Sequence, residues 1–229
     1  MTYLLRLVLP DRPGSLGAVA SAIGAAGGDI VSLDVVERGA DGAVDDLIVE
    51  LTPGRLADSL ITASRSVPGV IVESLRPYPS GRDLHRDLEL VDELAGSAES
   101  SLALLTDNAP GVFRAGWALC MKTDGMNVPG GAVTVLHASA GAPDPSGISF
   151  PWLPLTSARR MGHHEDWVPD RWDVLGMELA AAPVGRPDRD VLVGRPGGPR
   201  FRASEVLRLA HLAGIAATVG QLTAVAGLR

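Results

Sequence analysis

Cysteine is nearly missing from this chain: Cys120 is the single thiol in 229 residues. One cysteine excludes an internal disulfide and any Cys-rich metal site. Lysine is just as scarce. Nineteen of the twenty basic residues are Arg, with Lys122 alone. Together with the abundance of Ala, Gly, Val and Pro, this reads as coding bias in a GC-rich genome. Positive charge is short overall, because 20 basic residues face 27 acidic ones and leave a net −7. No basic stripe stands out, so nucleic-acid binding through phosphate neutralisation has little support, and neither has docking on anionic membranes. No uncharged apolar run reaches the roughly 18 residues of a membrane span. At the N-terminus Arg6, Asp11 and Arg12 interrupt the apolar residues, which does not suit a signal-peptide core. A soluble, cytoplasmic protein is expected.

Aromatic residues are few and unevenly placed. Residues 1–78 hold only Tyr3 and Tyr78; Phe113, Trp117, Phe150, Trp152, Trp167, Trp172 and Phe201 all follow. The length exceeds the commonest domain size, so two units with cores of different materials are expected.

What is present orders the first unit clearly. Tyr3–Leu9 is dense in Leu and Val, ends at Pro10 and reads as a buried strand. Asp11-Arg12-Pro13-Gly14 is a turn, and Ser15 can cap a helix over Ser15–Ala26, with Leu16, Val19, Ala20 and Ile23 at helical spacing. Gly27-Gly28 ends it. Strands follow at Asp29–Glu37 and Val44–Leu51 around a Gly39–Gly42 hairpin turn. A helix over Leu56–Ser66 and a strand over Val70–Leu75 complete the unit. The order βαββαβ predicts a ferredoxin-like, four-stranded antiparallel sheet with both helices on one face.

Residues 79–83 fall in a Pro/Gly-rich linker. A second unit, 84–229, is expected to be α+β. It has helices over Leu84–Ala95 (capped by Asp83), Glu99–Thr106 and Ala203–Leu222, and strands at Ala115–Thr123, Ala132–Ala140, Met177–Val184 and Val191–Arg195. Asp124–Gly131 reads as a Gly-rich turn. Residues 141–171 read as one long loop, a feature that often carries function.

The run Asp11-Arg12-Pro13-Gly14-Ser15-Leu16 between strand and helix, followed by Gly28-Asp29-Ile30-Val31-Ser32, resembles the ACT domain family over residues 1–78. These are small modules that bind amino acids and regulate enzymes or transcription factors. The physics of the loop agrees. Pro13 sets φ, Gly14 permits close backbone approach, and the Gly14, Ser15 and Leu16 amides at a helix N-terminus suit a carboxylate. The resemblance implies a ligand held where two copies meet, with Asp11, Arg12, Pro13, Gly14, Ser15 and Leu16 from one and Asp29, Ile30, Val31 and Ser32 from the other. Serine-binding members carry Asn where this chain carries Asp11 and Asp29, so the serine-specific reading does not transfer. The plainer alternative is that Asp11 stabilises the turn and Asp29 caps the loop after Gly28.

In the second unit, Trp172–Gly185, then Asp190-Val-Leu-Val-Gly194-Arg195, then Phe201 and a long helix, is similar to GAF domains. These are sensory modules with a pocket beneath loops on one sheet face, often paired through terminal helices. The Asn-Lys-Phe-Asp-Glu signature of cyclic-nucleotide binders is missing. Cys120, on a strand, does not suit a bilin site and reads as a small buried hydrophobe. Trp152, Trp167 and Trp172 either line a pocket or cover a sheet face.

Catalysis finds little footing. His163 and His164 are adjacent and point apart, unlike the i, i+4 pair of helical metal sites, and read with Glu165 and Asp166 as a solvated loop. Neither a metal site nor a nucleophile–base pair is identified, and no cofactor is implied. The leading expectation is a non-catalytic regulatory homodimer that binds a small ligand, an amino acid above all. The alternatives are an assembly module without a small ligand, and an enzyme using the 141–172 loop.

Overall fold

A computed structural model describes residues 1–40, 42–78, 86–123, 133–162 and 164–226. Asp41 of the hairpin turn, the 79–83 linker with its Asp83 cap, the Gly-rich turn 124–131 and His163 lie outside the described residues. The chain divides into two compact units, Met1–Leu84 and His85–Arg229.

The first unit runs β1 (Thr2–Leu9), α1 (Ser15–Ala25), β2 (Gly28–Gly39), β3 (Gly42–Leu51), α2 (Asp58–Arg65) and β4 (Ile71–Pro77). Its sheet has the order β2-β3-β1-β4, and every neighbouring pair is antiparallel. Alternation sorts the side chains. Leu5, Leu7 and Leu9 of β1 and Leu47, Val49 and Leu51 of β3 bury against Val19 and Ile23 of α1 and Leu60 of α2. This core needs no aromatic ring. On the opposite face Arg6 meets its register partner Asp46 in a fork, Nε to Oδ1 at 2.7 Å and Nη2 to Oδ2 at 2.8 Å.

The second unit runs α3 (Arg86–Gly96), a 3₁₀ turn (Ala98–Ser100), α4 (Ser101–Val112), β5 (Trp117–Thr123), β6 (Val133–Ala138), β7 (Arg159–Met161), α5 (Asp170–Val174), β8 (Glu178–Pro183), β9 (Arg189–Arg195) and α6 (Ala203–Ala226). The five-stranded antiparallel sheet has the order β6-β5-β9-β8-β7. Its three inner strands, β5, β9 and β8, are buried on both faces. Ala118, Ala180, Val191 and Val193 pack against Leu90, Leu105, Ala109, Leu209 and Ala213 of the helices. Leu119, Met121, Leu179 and Leu192 pack against Phe150, Leu153, Leu155, Val168 and Trp172 of the 141–175 segment. Arg195 locks β9 to α6. Its guanidinium donates to Glu205 (2.7 Å) and to the Phe113 and Pro199 carbonyls, and lies 4.0 Å above the Phe201 ring. Glu205 in turn accepts the Arg202 amide at the helix start.

Two expectations are corrected. The helix expected to stop at Thr106 runs on through Pro110 to Val112, because Ala109, Val112 and Phe113 join the helix-face core and outweigh the lost hydrogen bond. The segment expected to be one long loop contains β7, which extends the sheet edge, and begins α5.

Candidate functional site

Loop 10–14 closes on itself between β1 and α1. The Arg12 amide donates to the Pro10 carbonyl (2.8 Å) and the Ser15 amide to the Arg12 carbonyl (3.2 Å). The Ser15 amide, expected to face a ligand, is therefore engaged in the turn. The Gly14 and Leu16 amides have no backbone acceptor among the described residues. Gly14 has φ +91°, and a Cβ there would meet nothing within 4 Å. Glycine is needed here for the left-handed backbone, not for internal room, so a side chain would project into the space over the loop.

That space is a groove of about 360 Å³, walled by residues 9–16, Val35 and Arg38 of β2, and Ala43 and Asp45 of β3. Asp11 and Arg38 face each other at 3.9 Å, both well exposed. Asp45 is different. It is 3% exposed, and its Oδ1 is buried without a hydrogen-bond partner. Burial pushes its carboxyl above the ordinary range; Arg38 pulls it down, while Asp11, Asp46 and Asp34 push it up. An acceptor at the floor, a guanidinium at the rim and free amides at the helix start can together take a ligand bearing a cation and an anion.

Asp11, Arg12, Pro13, Gly14, Ser15 and Leu16 thus all line one groove. Asp29, Ile30, Val31 and Ser32 do not. Asp29 pairs with Glu50, Ser32 with Ile48 and Arg38 with Ala43, so within one copy the second set lies five to seven residues of β3 away from Arg38 on the groove wall, roughly 17–23 Å. Asp45 and Arg38 escaped the sequence reading. The signal for Asp45 was its place: two adjacent aspartates inside a strand put one carboxylate on each face, and one of them must fall on the helix side.

In the second unit the tryptophans cover the sheet. Trp117–Trp172 (5.2 Å), Phe150–Trp167 (5.7 Å) and Trp152–Trp167 (5.8 Å) pack ring against ring. A shallower cavity of about 500 Å³ lies beside Ser146–Ser149 and Asp166–Arg171. On its wall Arg171 donates to the Asp144 carbonyl (2.9 Å). Glu165 accepts from the Trp167 indole (2.9 Å), and His164 pairs with Asp173 (3.4 Å). Among the described residues no group of three His, Cys, Asp or Glu is placed to hold a metal. Cys120 is buried on β5, and burial pushes its thiol up to about 11, the opposite of an activated nucleophile. Among the described residues no helix is long and apolar enough to cross a membrane.

No family model matches the chain, and no curated protein does. Solved structures do. The GAF domain of an Acinetobacter phosphoenolpyruvate-protein phosphotransferase is 10% identical, covering 62% of this chain and 98% of its own, with a TM-score of 0.45. A GAF domain/HD domain protein from Geobacter sulfurreducens is 13% identical over 59% of this chain and 98% of its own, TM-score 0.43. Free methionine-R-sulfoxide reductase from Neisseria meningitidis, in complex with its substrate, is 13% identical over 66% of this chain and 96% of its own, TM-score 0.49.

Proposed function

We propose that this chain is a non-catalytic regulatory protein whose first unit is an ACT-type module binding an amino acid in the groove over loop 10–14. One observation carries the reading: the buried Asp45 carboxyl has an unpartnered oxygen at the floor of a groove rimmed by Arg38. The ligand ammonium pairs with Asp45 and Asp11. Its carboxylate pairs with Arg38 and the Gly14 and Leu16 amides. A second copy supplies Asp29–Ser32. In support, β2 is an edge strand and exposes Val31 (55%), Leu33 (39%) and Val35 (41%), an apolar edge that soluble proteins ordinarily cover. The second unit, in this reading, is a GAF-like module that senses or transmits, and the protein works in the cytoplasm.

Calorimetry of the full chain against each of the common amino acids tests this. At least one should bind, and Asp45→Asn should weaken it by about tenfold or more, the worth of one charge-assisted hydrogen bond. Binding should tighten as pH rises through the elevated Asp45 pKa, because only the carboxylate pairs with an ammonium. Gly14→Val should abolish binding while the fold survives, since the new side chain costs about 1–2 kcal/mol of backbone strain and enters the groove. Silence from every amino acid with the dimer intact would end the proposal.

A further inference from the structure

A cavity of about 610 Å³ in the second unit has no part in that reading. It lies on the helix side of the sheet, where the start of α4, the β8–β9 hairpin and the C-terminal half of α6 converge. Its size is that of a small-molecule site. Local sequence opens it. Gly185 has φ +72°, and a Cβ there would stand 2.5 Å from the Ala217 Cβ, so only glycine lets the hairpin rest on α6. The Val184 amide donates to the Arg189 carbonyl (2.7 Å), and the Arg189 amide to the Arg186 carbonyl (3.1 Å). The hairpin is thereby fixed with both Arg186 and Arg189 on the cavity wall.

The wall carries two guanidinium groups against one carboxylate, and so a net positive charge. Strand alternation places Asp190 on the face of Leu192, away from Arg189 on the face of Val191 and Val193, so the adjacent carboxyl does not neutralise that guanidinium. Glu99 shares the wall, but among the described residues neither arginine forms an ion pair with it or with any other carboxylate. The Arg189 Nε is buried with no hydrogen-bond partner. Beside it, α4 begins without a side-chain cap or an acidic residue in its first turn. A buried guanidinium nitrogen left unpaired is costly, and an oxyanion is the partner that relieves it. Leu102, Val184 and Ala217 make the remaining wall apolar.

We infer that this cavity binds a small molecule carrying an oxyanion, phosphoryl or carboxylate, held by Arg186 and Arg189 with its apolar part against Leu102 and Ala217. The test is calorimetry of the full chain with phenyl phosphate, benzoate and inorganic phosphate. The stronger of the first two identifies the anionic group, and inorganic phosphate, lacking an apolar part, should bind more weakly. Arg189→Gln should weaken binding by about tenfold or more. Arg186→Gln, at an exposed position where the fold is safe, should weaken it as well. Arg38→Gln, in the first unit, should leave it unchanged. The inference falls if no probe binds at millimolar concentration, if both Arg186→Gln and Arg189→Gln bind like the parent, or if Arg38→Gln removes the binding.

Discussion

At pH 8 the Asp190→Asn protein should be more stable than the parent by several kcal/mol, roughly 5. Asp190 is fully buried in the central strand β9, and neither of its carboxyl oxygens has a hydrogen-bond partner. Burial pushes its carboxyl up to about 8, with the Asp188 charge adding to the rise. The folded chain therefore keeps this proton through the range in which the unfolded chain, with an ordinary Asp near pH 4, has lost it. Its contribution to stability is fully present below about pH 4. It drains away at about 1.4 kcal/mol per pH unit until pH approaches 8, where the folded form also ionises. Asparagine has the same shape and no proton to lose. The stability difference between the two proteins should thus be small near pH 4 and grow steadily towards pH 8. All four tryptophans lie in the second unit, so tryptophan fluorescence during urea unfolding follows the relevant transition. A difference that does not change with pH would refute the buried neutral carboxyl.

Asp46→Ala should cost the first unit about 3–5 kcal/mol, enough to unfold it in much of the sample at ambient temperature. The Arg6–Asp46 fork is 1% and 0% exposed at its two side chains, and the variant takes both fork hydrogen bonds from a buried guanidinium. The comparison that separates an ion pair from mere packing is the double variant Arg6→Met/Asp46→Leu. Replacing both charges by apolar groups of similar size should recover most of the loss, because it removes the buried guanidinium together with the carboxylate it was bonded to. Amide hydrogen exchange along β1 and β3 reads both variants. Equal exchange rates in Asp46→Ala and the parent would contradict the assignment.

The first unit was readable because each of its signals is local. Leu9-Pro10 stops a strand, Pro13-Gly14-Ser15 opens a helix, and Gly27-Gly28 closes it, all within a few residues. Asp45 and Arg38 were not readable, because their meeting depends on the Val35–Asp45 register between β2 and β3, which no single strand reveals. The run of α4 past Thr106 to Val112 was hidden for a related reason. The core contacts of Ala109, Val112 and Phe113 that carry it are not local. The role of the tryptophans did leave a trace. Trp117-Ala-Leu-Cys-Met121 is apolar at every position, and a continuous apolar strand is one covered on both faces, so something had to lie over the second face. The anion cavity left none, since Ser101, Arg186 and Gln221 are brought together only by three elements distant in the chain.

The most direct test of the regulatory reading is a crystal structure of the full chain grown with the amino acid that calorimetry selects. The expected result is density in the groove, its ammonium on Asp45 and its carboxylate beside Arg38 and Gly14, with Asp29–Ser32 of a second copy closing over it. A ligand bound away from Asp45, or an empty groove under saturating ligand, would contradict it.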